Sequence, residues 1–238
     1  MRAGGSEGTP VWDSLTFMDH APALSLTGPD PLTQAVVLLL HGGAADSFHA
    51  VRAFDPSVLR MVPFGRSVVR GGGGRIALAK LRYSVRGWNG ERQSPLADAR
   101  WALDRIAERF GAIPVGLVGH SMGGRVALRV ADHGGVLVAD DGGAHSWGVR
   151  SVAALAPWLP DGELIPSFGD RPLLLAHGTA DRVTDPVKTT ELADRLAAEG
   201  ADVELVNYPG AHHSMLFPAK PWHEMVTRFM VRTLLRPT

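Results

Sequence analysis

The 238-residue chain reads as a single-domain α/β fold with a mainly parallel central sheet and helices on both faces. Three observations predict it. Short apolar runs alternate with longer segments whose apolar residues recur every three or four positions. The runs are apolar along their whole length, as parallel strands are when helices cover both faces. No internal repeat, charged block or Ser/Pro-rich linker divides the sequence, and its length fits one α/β domain. Residues 1–10, small, polar and without periodicity, are expected to be poorly ordered, with one domain over 11–238.

The expected strands are 35–40, 75–81, 115–118, 151–155, 173–176 and 203–207. Helical spacing appears over 95–110, 122–132, 186–199 and 222–235. Proline in the first turn marks several of the starts, and Gly111, Gly134 and Gly200 stand where αL caps would end helices. The run Gly71 to Gly74 reads as a surface turn. The Gly-rich stretch from Gly134 to Gly148, with Asp140 and Asp141, reads as a loop or small excursion. About 16 residues join the strand ending near Ala156 to the one beginning near Leu173, too few for a cap domain, so an open site is expected.

Composition narrows the function. Lys plus Arg equals Asp plus Glu at 24 each, so no global field would attract nucleic acid or an anionic membrane. The N-terminus lacks the apolar stretch of a secretory signal, and no apolar run is long enough to span a bilayer, so a cytoplasmic protein is expected. With no cysteine, a thiol nucleophile, a disulfide framework and a thiolate metal site are excluded. A nucleophile must be a hydroxyl or a carboxylate.

Polar residues that follow the apolar runs are the candidates, because ligands in open parallel sheets bind outside the carboxyl ends of the strands. Ser121 lies in Gly119-His120-Ser121-Met122-Gly123, between a buried strand and an amphipathic helix. A sharp turn there would project the hydroxyl, and the flanking glycines would let strand and helix approach. Asp181, in LLLAHGTADRVTDP, could orient an imidazole; Asp161 is the alternative acid, while Asp185 before Pro186 suits a helix N-cap. The pair His212-His213 follows the last strand, and either could be the general base. The pair lacks the i, i+4 spacing of a helical metal site. His41-Gly42-Gly43 follows AVVLLL and could bring a backbone N–H of Gly43, with that of Met122, to an oxyanion; His41 itself reads as a buried hydrogen-bonding residue.

Nucleophile, acid and base in the order Ser121, Asp181, His213, with the HGG turn upstream, resemble the α/β-hydrolase superfamily over roughly Ala35 to Leu235. Within it the chain looks like the compact serine carboxylesterase and dienelactone hydrolase-like branches. Their HGxxD turn is His177-Gly178-Thr179-Ala180-Asp181 here, and their G-x-x-H is Gly210-Ala211-His212-His213, which selects His213 as base. Serine argues against the branches that use aspartate, and it departs from dienelactone hydrolase proper, whose nucleophile is cysteine, so that substrate is not carried over.

The resemblance implies cleavage of a small-molecule carboxylic ester through an acyl-enzyme on Ser121, with no cofactor or metal. Arg86, Trp88, Asn89 and Trp158 are the candidate substrate-binding residues. The rival readings are a thioesterase or acyltransferase with the same triad, and a non-catalytic ligand-binding protein on the same fold.

Overall fold

The computed structural model describes residues 20–27, 31–138, 144–215 and 219–235. Residues 1–10, as well as Asp140 and Asp141, lie outside them. The elements run β1 (Ala23–Leu26), β2 (Ala35–Leu40), α1 (Pro56–Gly71), β3 (Ile76–Arg82), α2 (Ser94–Phe110), β4 (Pro114–His120), α3 (Met122–Arg129), β5 (Gly134–Val138), β6 (Ala144–Leu155), β7 (Leu173–Gly178), α4 (Pro186–Ala198), β8 (Val203–Tyr208) and α5 (Ala219–Leu234).

The strands form one sheet in the order β1-β3-β2-β4-β6-β7-β8, with β5 paired to β6. β1 and β5 run antiparallel to their neighbours and the other pairings are parallel. Strand β2 shows why apolar residues fill these strands from end to end. Its alternate residues Val36, Leu38 and Leu40 belong to the buried layer on the face covered by α2, α3 and α4, while Ala35, Val37 and Leu39 belong to the layer under α1 and α5. Each face buries a continuous layer, and an apolar burial of this kind stabilises the fold by about 25 cal/mol per Å².

Three expectations are corrected. Gly134 does not cap a helix: α3 stops at Arg129 and Gly134 begins β5. The stretch from Gly134 to Gly148, expected to be a loop or small excursion, contains that strand and the start of β6, which pair antiparallel. Gly71 belongs to the last turn of α1, and the turn proper is made by Gly73 and Gly74, with φ of 59° and 80°. The expected N-cap is present, since the Asp185 side chain accepts a bond from Val187 N at 2.8 Å.

The chain passes from β2 outward to β3 and then returns to β4 on the other side of β2. The crevice where strand order reverses therefore opens between the carboxyl ends of β2 and β4, the place where open α/β sheets bind ligands. His41-Gly42-Gly43 and Ser121 flank it. Residues 156–172 join β6 to β7 without a helix or a strand, so among the described residues this connection forms no lid.

Candidate active site

Ser121 is the junction of β4 and α3, with φ 56° and ψ −119°. A non-glycine residue held there is strained, and it is kept by packing on all sides. A Cβ on Gly119 would lie 2.1 Å from Gly123 O, and one on Gly123 would lie 2.1 Å from Leu40 O. Both distances are impossible, so the turn exists only with glycine two before and two after the serine. Ser121 N donates to Leu155 O at 2.9 Å, and Ser121 O accepts from Arg125 N and Trp158 N, both at 3.1 Å. The residue is partly exposed.

The HGG turn presses against this elbow. A Cβ on Gly42 would stand 3.3 Å from Ser121 Cβ, and one on Gly43 would strike Met122 Cε at 2.4 Å. Met122 is the first residue of α3, so its N–H has no acceptor within the helix. Gly43 is exposed. Gly43 and Met122 thus lie against one another next to Ser121.

Asp181 follows β7, and its carboxylate is fully buried. Oδ1 accepts from Val183 N at 2.7 Å and Thr184 N at 3.1 Å. Oδ2 accepts from the Thr184 hydroxyl at 2.9 Å, from His177 Nε2 at 3.1 Å and from His213 Nδ1 at 2.7 Å. Burial by itself would raise the pKa, but the bonds from Val183, His213 and Thr184 outweigh it and hold the carboxyl at about 2. It is a carboxylate whenever an imidazolium could form beside it.

The structure separates the two candidate histidines. His213 bonds Asp181 and is mostly buried; His212 is exposed and points Nδ1 at Ala180 O, 3.1 Å away. Because Nδ1 of His213 serves Asp181, Nε2 is the nitrogen left for proton transfer. Among the described residues no hydrogen bond joins the Ser121 hydroxyl to either histidine. Such bonds are commonly long in ligand-free sites and tighten when substrate binds. Asp161 is elsewhere: its exposed carboxylate pairs with Lys188 Nζ at 2.7 Å.

Two further histidines, which the motif reading passed over, support the site. His120 Nε2 donates to His213 O at 2.9 Å, with the two rings 4.7 Å apart. Burial, with a smaller contribution from His213, lowers its pKa to about 3, so it is neutral and its Nδ1 is buried without a partner. His177, fully buried, bonds Asp181 through Nε2 and Thr189 Oγ1 through Nδ1 at 2.7 Å. His120 occupies the open position before the serine of the elbow, and His177 is the first residue of the HGxxD turn. A histidine within an otherwise apolar strand end was the available signal. His41 is also structural: Nδ1 donates to Gly42 O at 2.7 Å, Nε2 accepts from Tyr83 N at 3.3 Å, and burial lowers its pKa to about 4.

Of the four candidate substrate-binding residues, Arg86 is exposed and Trp158 is half-buried beside Ser121. Trp88 and Asn89 are buried. Asn89 uses its amide on Ser47 N, Ser47 O, Gly87 O and Ser94 Oγ, which pins the loop after Gly43. Trp88 lies under the Arg125 guanidinium.

This arrangement, a strained serine at a strand-to-helix turn in the switch-point crevice of a lidless sheet, defines an α/β-hydrolase fold. The sequence profile of the dienelactone hydrolase family matches residues 87–226, more than half of the chain, and the chain belongs to that family. No curated protein sequence matches it. Among solved structures, an α/β serine hydrolase without a lid from Xanthomonas campestris is similar at 15% identity and TM-score 0.63, covering 91% of each chain. Est1E from Butyrivibrio proteoclasticus with ferulic acid bound is similar at 15% identity and TM-score 0.62, covering 90% of this chain and 96% of that one. A thermophilic esterase from Thermogutta terrifontis with butyrate bound shares 18% identity, with TM-score 0.61 and 91% coverage of both. At these identities the likeness is one of fold. No helix among the described residues is long and apolar enough to cross a membrane.

Proposed function

We propose that the protein is a serine carboxylic ester hydrolase acting on a small-molecule acyl substrate through an acyl-enzyme on Ser121. The observation that carries this reading is the 2.7 Å contact between His213 Nδ1 and the buried Asp181 carboxylate, at the same end of the sheet as the strained Ser121. A buried carboxylate held ionised fixes the imidazole tautomer with the bare Nε2 available, and it stabilises the imidazolium when that nitrogen takes a proton.

In the first step Ser121 Oγ attacks the ester carbonyl carbon while His213 Nε2 takes the hydroxyl proton. The carbonyl oxygen becomes an oxyanion facing the N–H groups of Gly43 and Met122. As the C–O bond to the alcohol breaks, His213 gives that proton to the departing oxygen. Water then enters, His213 takes its proton, and collapse of the second tetrahedral intermediate returns the proton to Ser121 and frees the acid. Neither step needs a cofactor. A conserved-mass test is direct: wild-type protein hydrolyses a short p-nitrophenyl ester and folded Ser121→Ala does not. Equal turnover by the two proteins contradicts the proposal.

A further inference from the structure

Trp158 lies on the connection between β6 and β7, and its backbone N–H rests on the carbonyl of Ser121 at 3.1 Å. A short connection without secondary structure would ordinarily be mobile, yet this one is tied down from below. The Arg125 guanidinium, on α3 one turn after the nucleophile, lies 3.5 Å from the Trp88 ring centroid and 4.7 Å from that of Trp158. The two indoles meet edge-on at 6.3 Å. Arg125 also pairs with Glu163, which belongs to the same connection, and Glu163 takes a second bond from Arg129 at 3.1 Å. The Glu163 side chain is only 6% exposed, so a charge that would be costly to bury alone is held between two cations. Arg129 in turn reaches Gln93 Oε1 at 3.3 Å, before α2. Arg125 Nε has no oxygen partner, as expected for a guanidinium lying flat against an indole.

We infer that this network turns the β6–β7 connection into a fixed substrate wall, with Trp158 the specificity-determining residue for the acyl chain and Arg125 and Glu163 its positioning residues. The inference rests on Ser121 being the nucleophile, since it is to the Ser121 carbonyl that the Trp158 backbone is bonded. A lidless site has no cap to select substrate, and an aromatic surface anchored to the helix behind the nucleophile supplies an apolar contact at a defined place. The substrate class it favours is an ester whose acyl part is long or flat enough to lie on the indole, over an acetyl ester too short to reach it.

The test compares kcat/KM for p-nitrophenyl hexanoate and p-nitrophenyl acetate. Trp158→Ala lowers the hexanoate-to-acetate ratio by about tenfold, the range of one apolar pocket contact. Glu163→Gln, which keeps the shape and removes the charge, lowers the ratio in the same direction. The Trp158→Ala/Glu163→Gln double variant is no lower than Trp158→Ala, because Glu163 acts through the indole. A ratio unchanged in Glu163→Gln, or losses that add in the double variant, overturns the inference. Amide hydrogen exchange at Trp158 provides a reading independent of catalysis: exchange quickens in folded Glu163→Gln, and unchanged protection overturns the inference. Absence of hydrolysis by the wild-type protein would instead overturn the proposed function, leaving the exchange result to decide the wall.

Discussion

Asp181 Oδ2 and His213 Nδ1 lie 2.7 Å apart, whereas His212, the next residue back, directs its Nδ1 to the Ala180 carbonyl. Two adjacent imidazoles thus have separate surroundings, one beside a buried carboxylate and one in solvent. His213→Ala is expected to reduce kcat/KM for a short ester by about 10³-fold or more, and Asp181→Asn by a comparable factor through loss of the correct tautomer. His212→Ala stays within a few-fold of wild type. Steady-state kinetics on the three variants decide the assignment; a larger loss in His212→Ala than in His213→Ala reverses it.

The buried histidines set an acid limit to stability. His41 and His120 have folded pKa values of about 4 and about 3, below the value of about 6.5 expected in the unfolded chain. The unfolded state therefore binds more protons, and the stability these groups contribute is present above about pH 6.5 and lost as pH falls toward 4 and 3. Asp181, depressed to about 2, adds a loss only below about pH 4. Unfolding free energies from urea titration should be level above pH 7 and fall by several kcal/mol between pH 6.5 and 4, with the midpoints falling alongside. A midpoint independent of pH over that interval contradicts the neutral, buried assignment.

Backbone contact at the elbow makes Gly123 irreplaceable. With a Cβ 2.1 Å from Leu40 O, Gly123→Ala must separate α3 from β2, and a loss above about 2 kcal/mol is expected from this overpacking. Chemical denaturation measures it. A variant as stable and as active as wild type would show that the elbow is looser than described.

His120 holds the backbone of the base by donating to His213 O. Replacing it by Leu leaves that carbonyl without a donor and lets His213 drift, and displacements of about 1 Å can reduce rates by about 100-fold. The expected signature is a fall in kcat with little change in KM, partly restored by Gln, whose amide can donate from a similar position. If Leu and Gln behave alike, the hydrogen bond is not what matters.

The sequence made the sheet interior legible because a doubly covered strand has no polar face, and β2 matches its expected span from Ala35 to Leu40. Helix α1 was not read: it carries Pro63 in its interior, which propensity counts against a helix, and packing against Leu39 and Leu78 overrides this. The four-residue edge strand β1 and the Gly-rich β5 were missed because neither carries a clear period. At the site, the residues alone point to Ser121 and to Asp181 ahead of Asp161, and leave His212 and His213 open. The choice of His213 over His212 came from the resemblance, and its physical ground is the fold that brings Asp181 to one ring alone. The Arg125–Glu163 pair spans 38 residues, and no local pattern announces it.

The central claim is that Ser121 is a nucleophile activated by His213, and covalent labelling addresses it without knowledge of the substrate. Wild-type, Ser121→Ala and His213→Ala proteins are treated with a fluorophosphonate and the modified peptide is located by mass spectrometry. The account predicts one adduct, on Ser121, in the wild type and none in either variant over the same time. Labelling of Ser121 at the wild-type rate in His213→Ala, or no adduct on Ser121 in the wild-type protein, would contradict it.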